Sequence, residues 1–216
     1  MMKRMSVILL IIIVALFAVV PARAQDYAAS IKLSTMGANL ELVRSFSPSF
    51  NVRLGAATLS YKANNVASND QLTVDGDLKL LALTALADWF PWQGSFRLSG
   101  GLIVNLNKIS MIMTPVKTYN NGNIIYTPEK LGQINADVTF NKVAPYFGIG
   151  FGNPTAGSSG LGFTFDLGTY FQQSPKVSMS ATKLLQPMES QSGQLQDNLK
   201  WFKFYPVLSV GIRYKF

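Results

Sequence analysis

The side chains that could do chemistry in this 216-residue sequence are mainly carboxylates and guanidinium groups, because it contains no histidine and no cysteine. Histidine is the usual general base near neutral pH, and cysteine is the usual thiolate nucleophile. Their absence excludes a Ser–His site, a Cys–His site and any disulfide. We therefore predict that the protein is not an enzyme, and that it uses no cofactor and no metal ion.

Six charged residues stand out because each lies on the polar side of a segment in which apolar and polar residues alternate. Three are acidic and three are basic: Glu41, Asp88, Asp166, Arg53, Arg97 and Arg213. Charges that face a narrow, partly dry interior are costly unless they are paired. The pattern predicts a salt-bridged network that holds the structure closed. An ion or small-solute path lined by the same groups is the alternative.

The elements that would position these charges are strands, and the last thirteen residues are the clearest example. One parity from Phe204 to Phe216 is apolar throughout, whereas the other becomes small and then charged. A period of two predicts a strand with one apolar face and one polar face. Small inward residues on neighbouring segments would make room for arginine side chains and tyrosine rings: Gly148, Gly150, Gly162 and Gly168.

Further segments of this kind predict an all-β, transmembrane, antiparallel up-and-down barrel. Seven strands are clear, and an eighth is expected at Tyr27–Thr35 because such barrels use even numbers. The seven are Gly37–Phe46, Phe50–Ala63, Asp77–Phe90, Phe96–Asn107, Lys142–Phe151, Leu161–Gln172 and the closing strand. Ten strands would result if the segment Ile109–Asn141 contained another membrane-crossing hairpin. Irregular alternation over Ala57–Tyr61 predicts a bulge.

The connections between these strands predict the orientation of the barrel. Those after Phe46, Phe90 and Gly152 are short, which is typical of periplasmic turns. Three others are long and would be extracellular loops: Asn64–Gly76, Ile109–Asn141 and Gln173–Lys200. A hairpin tip is expected at Tyr119–Asn123 and a short helix at Leu195–Phe202.

Composition supports a membrane barrel. Charged residues make up 14% of the sequence, compared with about 25% in soluble domains, and the mean hydropathy is +0.20. Beyond the N-terminal region, no apolar run reaches the ~20 residues that a membrane-spanning helix needs. A soluble β-sandwich is the alternative. The net charge of +8 is spread along the chain, whereas a nucleic-acid-binding protein is expected to cluster its basic residues.

The N-terminal region is typical of a secretory signal peptide. Lys3 and Arg4 precede an apolar stretch, and Ala22-Arg23-Ala24 is a suitable cleavage site. We predict a cleaved signal peptide over residues 1–24 and a single barrel domain over residues 25–216. A retained membrane anchor is the alternative.

Parts of the second half of the sequence resemble a family of small outer-membrane β-barrel proteins of Gram-negative bacteria. The resemblance rests on Asn141–Asn153, Gly162–Gly168, Gln173–Ser178 and the closing strand. More distantly, the chain is similar to barrels of the OmpA/OmpX and OmpW type. The resemblance implies residence in the outer membrane, and no activity follows from it.

Several partners follow from this location. We expect contact with outer-membrane lipids and lipopolysaccharide, and handling by periplasmic chaperones and the barrel-assembly machinery. Tyr214 and Phe216 would form the C-terminal assembly signal. We expect a monomer that binds no nucleic acid.

The sequence thus predicts a non-enzymatic barrel with a structural or surface-interaction role. Its long loops would be displayed outside, with Tyr119, Tyr126, Lys117 and Lys130 as candidate contact residues. A narrow channel for small or apolar solutes is the alternative function.

Overall fold

The structure, a computed structural model, describes residues 27–68, 72–121, 124–157 and 159–216. The predicted signal peptide and its cleavage site lie outside these ranges. The described chain is mainly antiparallel β-sheet with a few short helices. None of the described helices is long and apolar enough to cross a membrane.

Eight strands close into an antiparallel ring, in which β1 (Tyr27–Ser34) pairs with β2 (Gly37–Ser47) and also with β13 (Phe204–Lys215), the last strand of the chain. The predicted all-β, up-and-down barrel is therefore confirmed, and the expected eighth strand is β1. In ring order the strands are β1 (Tyr27–Ser34), β2 (Gly37–Ser47), β3 (Phe50–Ser68), β4 (Leu72–Trp89), β5 (Phe96–Asn105), β10 (Val143–Phe151), β11 (Gly160–Phe171) and β13 (Phe204–Lys215).

The strands alternate between an outward apolar face and an inward polar face. On β13, Val210 is 58% exposed on the outside, whereas its neighbour Ser209 is 4% exposed on the inside. Because neighbouring residues of a strand point to opposite faces, this register sends polar side chains into the barrel. An eight-stranded ring is just wide enough for such side chains to fill it.

The two ends of the ring differ. The connections that follow β2, β4 and β10 are short and lie at the end where β13 finishes, which we call the short-turn end. The backbone amide of Phe216 donates to the carbonyl of Tyr27 there, at 3.1 Å. The opposite end, called here the long-connection end, carries the two-residue β1–β2 turn, the β3–β4 hairpin and the two long connections that follow β5 and β11.

At the long-connection end, β3 and β4 continue beyond the ring into a second β-region. The first half of β4 pairs with β6 (Lys108–Pro115), which pairs with β9 (Ile134–Thr139), which pairs with β12 (Lys176–Ala181). We call the five-stranded arrangement β3–β4–β6–β9–β12 the upper sheet. β6 and β9 are thus strands of the upper sheet rather than members of the ring.

The upper sheet corrects two predictions. Most of Asn64–Gly76 is strand rather than loop, because the β3–β4 hairpin extends into it. These strands lie outside the ring and carry polar residues, so their sequence is typical of a loop. The bulge predicted at Ala57–Tyr61 is also wrong. Pairing with β4 is continuous from Phe50 to Ala63, and the register shifts only between Ala63 and Ala67, around Asn65 with its φ of 55°.

Short elements complete the long-connection end. β7 (Tyr119–Asn121) and β8 (Ile124–Tyr126) form the hairpin predicted there, although residues 122 and 123 at its tip lie outside the described ranges. Helix α1 (Pro128–Leu131) follows. A 3₁₀ helix (Lys183–Gln191) and helix α2 (Ser192–Leu199) lie between β12 and β13, so the predicted helix starts three residues earlier than expected.

Candidate functional site

The interior of the barrel holds a cluster of six charged side chains, each at most 5% exposed. Three are cationic and three are anionic, so the formal charges balance. We call Lys32, Glu41, Arg53, Asp88, Arg97 and Asp166 the charge cluster.

Arg53 lies among all three carboxylates of the charge cluster. Its Nε atom is 2.7 Å from Asp88 Oδ2, an ion pair without hydrogen-bond alignment. Its Nη1 atom is 3.2 Å from Glu41 Oε2, and its Nη2 atom is 3.2 Å from Asp166 Oδ1. The fork of the guanidinium group therefore joins carboxylates from three different strands.

Asp166 is the carboxylate that meets all three cations. Its Oδ2 atom is 2.7 Å from Lys32 Nζ, and its Oδ1 atom is 2.5 Å from Arg97 Nη2. Lys32 Nζ is also 2.6 Å from Glu41 Oε2. Cations from β1, β3 and β5 thus converge on one residue of β11.

Neutral side chains satisfy the remaining carboxylate oxygens. Ser99 Oγ donates to Asp88 Oδ1 at 2.6 Å, and Ser209 Oγ donates to Asp166 Oδ2 at 3.1 Å. Asn39 Nδ2 donates to Glu41 Oε1 at 3.1 Å. Buried charges are tolerated when such bonds complete their pairing, so the cluster is a partnered polar core.

Glycines on β10 and β11 make room for the long basic side chains, as the sequence predicts. A Cβ atom at Gly150 would lie 2.7 Å from Arg97 Nε, and one at Gly162 would lie 2.5 Å from Arg213 Nε. Carbon atoms do not approach nitrogen so closely without displacement. Each guanidinium group therefore lies against the backbone of a neighbouring strand where a side chain is absent.

An apolar and aromatic layer separates the charge cluster from the long-connection end. Tyr170 stacks on Tyr205 with ring centroids 4.9 Å apart. The other members are Met36, Ala57, Ala82, Leu86, Ile103, Ala144, Tyr146 and Val207. A cavity of about 20 Å³ lies between this layer and the charge cluster. That volume holds about one water molecule.

At the short-turn end, the β10–β11 turn closes the interior. Asn153 and Thr155 of this turn are buried and hydrogen bond to Asn51 of β3, at 3.2 Å each. Arg97 donates to the carbonyl of Gly152. Below the turn lies an open polar vestibule of about 440 Å³, lined mainly by neutral side chains and Lys215.

The structure brings together five of the six charged residues that the sequence predicts. Arg213 is the exception: it lies opposite Gly162, four residues along β13 from Ser209, which is roughly 14 Å at about 3.4 Å per residue. Among the described residues it makes no ion pair, and its Nε atom is buried without a hydrogen-bond partner. Arg213 is on the predicted face of β13, but it lies too far along the barrel axis to contact the charge cluster.

Lys32 is the charged residue that sequence reasoning missed. It alternates with Ile31 and Leu33, both exposed on the outside of β1, and this alternation is the signal that could have found it. The predicted assembly residues Tyr214 and Phe216 lie on the outside at the short-turn end, with ring centroids 5.5 Å apart.

The candidate contact residues of the long connections lie at the other end. Tyr126 ends β8, Lys130 is exposed on α1 and Lys117 precedes β7. Tyr119 begins β7. In the described parts of the chain, no group of three or more acidic, histidine or cysteine side chains is arranged to hold a metal ion.

Comparison with solved structures finds the same fold in two proteins of Acinetobacter baumannii. CarO matches with a TM-score of 0.56 and 18% sequence identity over 88% of this chain and 97% of its own. CarO2 matches with a TM-score of 0.58 and 17% identity over 88% of this chain and 98% of its own. This chain therefore has the fold of these barrels. No protein-family model and no curated protein sequence matches it.

Proposed function

We propose that the protein is a non-enzymatic outer-membrane barrel with a filled interior, whose upper sheet serves as an interaction surface outside the cell. The observation that carries this proposal is the charge cluster, in which six balanced charges, each at most 5% exposed, cross-link strands on all sides of the ring. A core of this kind keeps a barrel closed and rigid, so we expect the interaction surface to lie outside the ring, on the upper sheet.

The outer surface supports a membrane location. Large apolar side chains are exposed around the ring, including Leu161, Phe163, Leu208 and Ile212. Near the short-turn end this surface carries aromatic side chains, which suit the headgroup depth of a bilayer: Phe46, Phe50, Trp89, Trp92, Phe151, Tyr214 and Phe216. Outer-membrane lipids and lipopolysaccharide are the partners that this surface fits.

Reagent access tests the proposed orientation. Because the sequence has no cysteine, Lys130→Cys on α1 and Gln93→Cys in the β4–β5 turn each create a single thiol. A membrane-impermeant maleimide should label Lys130→Cys on intact cells and label Gln93→Cys only after the outer membrane is permeabilised. The reverse pattern would overturn the orientation, and with it the external role of the upper sheet.

A narrow channel for small or apolar solutes is the competing function, and conductance separates the two. Purified protein in planar bilayers should give no stable single-channel steps under conditions in which an open porin conducts. Stable steps that Arg97→Ala abolishes would establish the channel instead, because Arg97 belongs to the charge cluster. Circular dichroism of both samples checks that the barrel is folded.

A further inference from the structure

The upper sheet has one apolar face that continues across all five strands. One register row runs Tyr61, Leu78, Ile109, Val138 and Val177 from β3 to β12. The next rows add Met111, Ala136 and Met179, and then Val74, Met113 and Ile134. The opposite face is largely polar and includes the exposed ion pair between Lys108 and Asp137. The sheet is thus amphipathic, with a period of two on every strand.

The β12 edge of the upper sheet is covered. Gln196 Oε1 accepts a hydrogen bond from the amide of Val177 at 3.4 Å, and Glu189 Oε1 accepts one from the amide of Ala181 at 2.8 Å. Both acceptors lie on the segment formed by the 3₁₀ helix and α2, which packs against β12. Side chains therefore occupy edge amides that would otherwise be open to another strand.

The β3 edge has no such cover among the described residues. β2 begins at Gly37, and its pairing with β3 stops at Thr58. Beyond that point, no described strand pairs with the outer side of β3, although β3 stays in continuous register with β4 as far as Ala63. The open edge therefore runs from Leu59 to Asn64, and every second residue along it points its backbone groups away from β4.

Among the described residues of the apolar face, those at this open edge are exposed, whereas the rest are buried or half-buried. Val138 in the middle of the sheet is 4% exposed, whereas Tyr61 in the same register row is 63% exposed and Leu59 is 41% exposed. Large apolar side chains next to unpaired backbone groups provide both parts of a strand-addition site.

We propose that the β3 edge from Leu59 to Asn64 docks an extended, amphipathic segment of a partner polypeptide by strand addition. The main chain of the segment would continue the ladder, and its apolar side chains would lie beside Leu59 and Tyr61. Its polar side chains would lie beside Ser60 and Lys62. This inference rests on the proposed function, since it names the partner chemistry of the upper sheet.

A second copy of this chain fits the edge less well. Two copies in one membrane have the same orientation, so their β3 strands would run in the same direction. Parallel pairs are slightly less stable per residue than antiparallel pairs, and an identical edge would bring two Lys62 residues near each other. A separate segment is free to run antiparallel.

Peptide binding to the folded full-length barrel in nanodiscs tests the proposal. The probe is a short synthetic peptide of alternating valine and threonine with a lysine at each end, and the control replaces every valine with proline. The first peptide should slow hydrogen exchange of the amides over Leu59–Asn64 and leave those of β12 unchanged. The proline peptide should have no effect, because it has lost every second backbone donor and its proline rings disfavour a regular strand.

Matched variants separate docking from general damage. Tyr61→Lys puts a charge on the apolar face of the open edge and should weaken peptide binding at least about tenfold. Ser178→Lys puts a charge on an exposed position of the covered edge and should leave binding unchanged. Both barrels should remain folded, since both positions are exposed.

A proline pair tests the role of the backbone. Neighbouring amides of a strand point to opposite sides, so one of Ser60→Pro and Tyr61→Pro removes a donor to β4 and the other removes a donor at the open edge. The edge variant should keep its thermal stability and lose peptide protection. Loss of protection only in the destabilised variant would contradict strand addition.

The outcomes distinguish this inference from the proposed function. Absence of protection over Leu59–Asn64 in a non-conducting barrel overturns strand addition alone, whereas channel steps overturn the proposed function. Self-association without peptide that Tyr61→Lys disrupts would make the edge a contact between copies, which also overturns the proposal.

Discussion

At the scale of single residues, Asp166 is the carboxylate on which the interior depends most. It is the only member of the charge cluster in contact with all three cations, Lys32, Arg53 and Arg97. Removing one partner of a buried ion pair leaves an uncompensated charge, which costs far more than the pair itself contributes. The charge balance of the cluster is therefore most sensitive to a substitution at Asp166.

We expect Asp166→Asn to lower the free energy of unfolding by about 3–5 kcal/mol, because it leaves three cations with two carboxylates. Urea unfolding in lipid vesicles, followed by tryptophan fluorescence, measures the change. Asp137→Asn is the matched control, since its exposed pair with Lys108 should contribute about 1 kcal/mol or less. Similar losses in the two variants would contradict a buried, cooperative cluster.

The sequence predicts which residues face the interior of the ring, because that depends only on whether a residue is odd or even along its strand. Parity places Glu41, Arg53, Asp88, Arg97 and Asp166 inside the ring, and the structure does the same. Parity carries no information about height in the barrel, which depends on the stagger between strands. Arg213 shares the inward face and still lies too far along β13 to reach the network.

At the scale of elements, the upper sheet depends on side-chain bonds across its polar face as well as on its ladder. Ser110 Oγ donates to Asp137 Oδ1 at 2.6 Å, and Lys108 Nζ lies 3.0 Å from Asp137 Oδ2. The hydrogen bond from Ser110, followed by the interaction with Lys108, holds the pKa of Asp137 below its ordinary value of 3.8. A carboxyl group of this kind stabilises β6 and β9 in its charged form.

This lowered pKa gives the upper sheet a pH dependence. The stabilisation is present above the unfolded pKa of 3.8 and is lost as the pH falls through the folded value. Hydrogen exchange of β6 and β9 amides, corrected for intrinsic rates, should therefore accelerate below about pH 4. Asp137→Asn should remove this dependence, and a dependence that persists in the variant would assign it to another group.

Sequence reasoning located the ring strands better than the upper sheet, for a physical reason. Ring strands have outward-facing and interior-facing sides of opposite polarity, so their alternation is sharp. The β3–β4 extension is exposed, and polar residues such as Asn64 and Asp75 break its pattern. The first half of β4 is held by pairing with β6, and β6 pairs in turn with β9.

At the scale of the whole molecule, the ring reverses the distribution of polar and apolar side chains that is usual in a water-soluble protein. Large apolar side chains cover its outside and the charge cluster lies inside, so an apolar solvent suits its outer surface. Phe163, Leu161 and Val210 on its outside are each more than half exposed. Water would expose this surface at a cost of roughly 25 cal/mol per Å² of apolar area.

We expect Leu208→Arg to destabilise the barrel in vesicles by about 2–4 kcal/mol, because it places a charge on the lipid face. Leu208 is exposed near the middle of β13. Leu208→Phe is the matched control and should have little effect, since it keeps the face apolar. Equal unfolding free energies for the two variants would contradict membrane immersion of this face.

The pairing of β1 with β13 has a consequence for how the molecule is made. Ile31 lies opposite Ile212, so the contact that seals the ring joins positions near opposite ends of the chain. Contacts of such long sequence separation carry the largest loop-closure entropy and form slowly. Synthesis from the N-terminus therefore delivers β1 long before its partner, and the seam cannot close until β13 is present. Until then the backbone groups on that side of β1 have no partner strand, and β1 is an open sheet edge.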